Sequence, residues 1–114
     1  MNKQPPAIID DTAEPTWRFV IRDYRKIASE GVWLDVINLM ISRHEMGLKK
    51  HGTYLTPHNG RDSLTDALQE QLDCVVYLKN AELEELDPHK KKVITDSYHF
   101  ALRTLENIYI AITL

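Results

Sequence analysis

Apolar residues recur along this chain at spacings of three and four, and nowhere do they alternate over the length of a strand. That period predicts an all-α fold built as an antiparallel helical bundle. Residues 16–29 follow Pro15 and place Trp17, Val20, Ile21, Tyr24 and Ile27 on one helical stripe. After Gly31, residues 32–48 are apolar over nearly the whole circumference, and such a helix is expected to be buried. Its polar seam is narrow: Asp35, Asn38, Ser42 and Glu45. A third helix is expected over residues 62–86, with Ala67, Cys74 and Leu78 facing inward. Asp87-Pro88 ends it, and a last helix starts near His89. There Ile94, Tyr98, Ala101, Leu105, Ile108 and Ile112 form a seam suited to packing against other helices. Its apolar end, YIAITL, points to burial in a homo-oligomer, a dimer or a tetramer.

Two stretches fall outside the helical period. Residues 1–15 hold three of the five prolines and read as an extended arm, with Ile8 and Ile9 as anchors, ahead of a single all-α domain over 16–114. Residues 49–61, KKHGTYLTPHNGR, are broken by Gly52, Pro57 and Asn59-Gly60. A loop of that length in a helical domain is more often functional than a plain connector. It is expected to bring Lys49, Lys50, Asn59 and Arg61 to the entrance of a helical hairpin.

The carboxylates change the picture. Asp62, Asp66, Glu70 and Asp73 fall within an arc of about 80° at 100° per residue, with no Lys or Arg on that arc. Like charges one turn apart destabilise a helix by a few tenths of a kcal/mol. An all-acid stripe therefore asks for a cation, although an ordinary solvated helix face accounts for it equally well on this segment alone. Asp62 also suits a helix N-terminus, where the macrodipole favours an acid. If the two acid-bearing helices run antiparallel, Asp35 and Glu45 can face Asp66, Glu70 and Asp73. Oxygen-only donors of this kind suit Mg²⁺ or Mn²⁺, with Mg²⁺ bridging carboxylates to substrate phosphates. Arg61 can grip phosphate oxygens bidentately.

Composition narrows the partners. The chain has 114 residues and a net charge of −3, which argues against a general nucleic-acid binder. No apolar run is long enough to span a bilayer, and there is no secretory h-region, so a cytoplasmic setting is expected. The single Cys74 fits a reducing compartment and reads as a small core residue rather than a nucleophile. The five histidines show no zinc-ligand spacing, and His44-Glu45-Met46-Gly47 lacks the second histidine of a zincin. Tyr77 suits packing and base stacking equally, and Lys90 to Lys92 read as a solvated helix start.

Taken together, Arg43 through Gly47, Lys50-His51-Gly52-Thr53, Leu55, Asn59-Gly60-Arg61-Asp62, Asp66, Glu70-x-x-Asp73 and Tyr77-Leu78 resemble the MazG-like all-α nucleoside triphosphate pyrophosphohydrolases, in particular their small, often phage-encoded members. The resemblance spans roughly residues 35–82. It implies Mg²⁺-dependent cleavage between the α and β phosphates of a nucleotide, releasing a monophosphate and pyrophosphate. Glu70 and Asp73 match the family's ExxD pair, which makes them the catalytic metal ligands, with Asp35 and Glu45 as further metal ligands. Lys50, Asn59 and Arg61 are the substrate-binding candidates. The earlier helix departs from the family, because its usual ExxE cluster is reduced to Ser42-x-x-Glu45 and Asp35-x-x-Asn38.

Three functions follow from these residues. The first is a nucleotide pyrophosphohydrolase. The second is a weak or inactive relative that binds nucleotides or protein, motivated by the missing acids. The third is a helical oligomeric interaction protein whose acid stripes are merely solvated.

Overall fold

The computed structural model describes residues 4–10 and 12–114, so the first three residues of the expected arm and Asp11 lie outside the described residues. The described residues form four α-helices and no strand: α1 (Thr16–Ile27), α2 (Trp33–His51), α3 (Ser63–Glu84) and α4 (Pro88–Thr113). They divide into two compact units, Met1–Arg61 and Asp62–Leu114.

In the first unit, residues 4–10 run without regular structure and then turn, as expected of an arm. The Asp10 carboxylate closes the turn by accepting from the Thr12 amide at 2.9 Å and its hydroxyl at 2.7 Å. Those bonds hold the Asp10 carboxyl below the usual carboxylate range. Pro15 is buried at the N-cap of α1, and Thr16 donates its amide to the Leu55 carbonyl at 2.8 Å, tying the helix start to the long loop. Trp17, Ile21 and Tyr24 are partly buried, whereas Val20 and Ile27 are exposed; the inward stripe of α1 is narrower than its apolar spacing suggests.

Helix α2 runs three residues past the expected end, through Lys49, Lys50 and His51. Cations are favoured in a last turn, where the carbonyl ends of the macrodipole gather. The chain breaks only at Gly52, whose φ of 74° is the left-handed conformation and whose amide returns to the Leu48 carbonyl. The expectation that α2 is buried all round is corrected within the chain: Ile37 is its only buried residue, while Trp33, Leu34, Leu39, Ile41 and Met46 are exposed. Asp35 and Glu45 are exposed as well. A carboxylate in contact with water needs no partner, so burial does not explain either acid.

The second unit is a helical hairpin. Asp62 caps α3, accepting from the Thr65 amide at 3.1 Å and the Thr65 hydroxyl at 2.7 Å. Asp87 caps α4 by accepting from the Lys90 amide at 2.9 Å, with Pro88 in the first turn, where its missing N–H costs nothing. The helices run antiparallel: Glu82 meets Thr95, Lys79 lies under the Tyr98 ring at 4.6 Å, and Gln71 reaches the Ala101 carbonyl at 2.9 Å. Along α4, Ile94, Tyr98, Leu105 and Ile108 are partly buried and Ala101 is buried, so the expected seam holds as far as Ile108, whereas Ile112 is exposed. Ala67, Cys74 and Leu78 sit partly buried on the facing side of α3. No helix among the described residues is long and apolar enough to cross a membrane.

Candidate functional site

The acid stripe is real as a helix face. Asp66, Glu70 and Asp73 all lie within α3, spaced four and three residues apart, so they share a side of the helix within about 60°. Asp62 drops out of the stripe, because it stands outside the helix as the cap. Its bonds to Thr65, the hydroxyl first and the amide second, hold its carboxyl below the usual range and explain the residue without a metal.

Asp66 is partly buried, whereas Glu70 and Asp73 are exposed. Among the described residues neither the Glu70 nor the Asp73 side chain takes part in a hydrogen bond or an ion pair. Among the described residues no Lys or Arg thus pairs with either of these like charges one turn apart. Tyr77 lies one turn on and is 71% exposed, so it does not pack into the hairpin.

Among the described residues no group of three or more His, Cys, Asp or Glu side chains converges as a metal cage. Glu70 and Asp73 are a pair of carboxylates, and a pair is what Mg²⁺ takes when substrate phosphates and water complete its octahedron. Asp35 and Glu45 lie ten residues apart on α2, roughly 15 Å along its axis, so the helix does not bring them to one ion.

The loop between α2 and α3 is more ordered in its hydrogen bonding than its composition suggests. Asn59 is 4% exposed, and its Oδ1 accepts from the Arg61 amide at 3.0 Å, which shapes the turn carrying Arg61. Gly60 between them has a φ of 83°, and His58 before them has one of 57°, a region His visits more readily than most residues. Asn59 thus builds the loop with its side chain. Arg61 is partly buried, and its Nη1 donates to the Pro5 carbonyl of the arm at 2.9 Å. Lys50 is exposed on the last turn of α2, where the helix dipole alone accounts for a cation.

Two features of this unit escaped the sequence. His44 of α2 and Tyr54 of the loop stack with ring centroids 4.0 Å apart and planes 13° from parallel. Beside Tyr54 is a polar cavity of about 600 Å³ whose lining includes Asp10, Glu14, Arg18, Thr53 and the buried Thr56. Glu14 is already paired with Arg22 at 2.8 Å. His44 and Tyr54 are ten positions apart with the end of α2 between them, so only folding of the loop onto α2 reveals the stack.

No family model, curated protein or solved structure matches this chain.

Proposed function

We propose that this protein is a Mg²⁺-dependent nucleotide pyrophosphohydrolase of the MazG-like kind, converting a nucleoside triphosphate to its monophosphate and pyrophosphate. The observation that carries the reading is the exposed pair Glu70 and Asp73, one turn apart on α3 and paired with no basic side chain among the described residues. The motif string around the pair supports it. Glu70 and Asp73 would hold the divalent ion. A bound Mg²⁺ supplies Lewis acidity and lowers the pKa of water. Asn59 sets the turn from which Arg61 projects, and Lys50 and Arg61 are cations of the kind that binds phosphate.

A homo-oligomer belongs to the same reading. Leu72, Val76 and Leu83 of α3 and Phe100, Tyr109 and Ile110 of α4 are each more than two-fifths exposed, more apolar surface than two helices cover between themselves. That surface also supports the other function, an oligomeric helical protein without catalysis. The two separate on one experiment: incubation of nucleoside triphosphates with Mg²⁺ or Mn²⁺ and identification of products by ion-exchange chromatography. Monophosphate with pyrophosphate is the expected result. Orthophosphate as primary product, or no turnover with any nucleotide, rejects the hydrolase.

A further inference from the structure

The polar cavity of about 600 Å³ in the first unit lies where the start of α1 meets the long loop, and the bond from the Thr16 amide to the Leu55 carbonyl ties those two walls together. Its most buried polar side chain is Thr56, which is 6% exposed. Among the described residues no fully enclosed side-chain oxygen or nitrogen lacks a hydrogen-bond partner. The Thr56 hydroxyl has none, so it opens into the cavity that its residue lines. A hydroxyl fixed in this way calls for a polar ligand atom.

The charges around the cavity are unpaired in a complementary way. Glu14 is engaged by Arg22 at 2.8 Å, and the Arg18 guanidinium takes part in no hydrogen bond or ion pair among the described residues. Arg18 sits in the first turn of α1, where the macrodipole disfavours a cation, so the helix does not account for it. That helix start has no side-chain cap and no acid in its first turn. A carboxylate placed there answers Arg18 and the positive end of the dipole together. Asp10, on the same cavity, accepts from Thr12 through Oδ1 and has no cation partner.

We propose that this cavity binds a small zwitterion of the free amino acid type, its carboxylate taken by Arg18 and the Thr56 hydroxyl and its ammonium by Asp10. The site is separate from the Glu70 and Asp73 pair and does not rest on the hydrolase reading. A phosphate would meet Arg18 but be repelled by Asp10, and a simple amine would meet the reverse. One charge of each sign satisfies both groups. Arg18 and Arg22 balance Asp10 and Glu14, so the cavity as a whole favours neither a lone anion nor a lone cation. Tyr54, held by its stack on His44, and Leu48 give the lining an apolar part for the ligand's own side chain.

The test titrates each of the common amino acids into the isotope-labelled full chain and follows amide chemical shifts. At least one is expected to give saturable shifts at Thr12, Arg18 and Thr53 to Thr56. Its N-acetyl and its carboxamide derivatives, each lacking one charge, are expected to bind about tenfold more weakly or worse, the usual worth of a hydrogen bond to a charged group. Arg18→Gln and Thr56→Val are expected to weaken the amino acid. Asp10→Asn keeps an acceptor for Thr12, and is expected to weaken the amino acid while leaving its N-acetyl derivative unchanged. No saturable shift with any amino acid overturns the proposal. So does an N-acetyl derivative that binds as tightly as its parent, which would mark an anion site only. Undiminished binding in Arg18→Gln overturns it too. Arg18 is exposed, so that variant folds and decides the matter even if Thr56→Val does not fold.

Discussion

Gln71 Nε2 donates to the Ala101 carbonyl at 2.9 Å, bridging α3 and α4 where the buried residue of α4 is an alanine. A methyl at residue 101 lets the helices approach until a side-chain amide reaches main chain. A larger residue forces the hairpin apart and strands the amide.

Ala101→Leu is therefore expected to destabilise the hairpin by about 1–3 kcal/mol, the usual cost of overpacking. Gln71→Ala, which removes the bond without crowding, should cost about 1 kcal/mol. Urea unfolding followed by circular dichroism measures both. A neutral Ala101→Leu would mean that the interface yields without strain.

The Lys79–Glu82 pair at 2.6 Å gives the hairpin a pH dependence. Hydrogen bonds from Lys79 and Thr95 hold the Glu82 carboxyl below its ordinary 4.5. A carboxyl depressed by folding contributes stability above its unfolded pKa and loses it as pH falls through the lower folded value. Lys79 is raised above 10.5, first by its hydrogen bond to Glu82, so its contribution is present below 10.5 and lost as pH rises through the folded value. Between about pH 6 and about pH 3 the parent should lose more stability than Glu82→Gln. Parallel acid titrations of the two proteins that lose stability equally would remove Glu82 from the explanation.

Glu70→Ala and Asp73→Ala are expected to lower turnover by more than about 100-fold. Even residues that merely orient metal ligands are commonly worth 10–100-fold. Helix content should hold or rise slightly, because Ala is a strong helix former and the like-charge repulsion is relieved. Turnover should also vanish with a chelator and return with Mg²⁺. Full activity in Glu70→Ala would remove the proposed metal site.

In solution the chain should be a dimer or tetramer, held through the apolar faces of α3 and α4. Phe100→Asp, at a position 74% exposed in the single chain, should then shift sedimentation toward the monomer while costing the isolated hairpin little. A monomeric parent at micromolar concentration would end this expectation.

How much of this was legible beforehand depends on the range of the interaction concerned. The four helices, the Asp62 cap, the seam from Ile94 to Ile108 and the shared face of Glu70 and Asp73 are all set within a few residues, by the helical period and by local capping, so the sequence by itself determined them. The polar Lys49, Lys50 and His51 read as loop, yet α2 runs through them because cations suit a helix C-terminus and Gly52 supplies the left-handed turn. What the tertiary structure alone decided are contacts across long separations. Arg61 meets Pro5 over 56 residues, Gln71 meets Ala101 over 30, and His44 stacks on Tyr54. A carbonyl acceptor has no side-chain signature, and apolar spacing says which face is apolar without saying what covers it. That is why the exposure of α2 and the occupation of Arg61 by the arm required the folded chain.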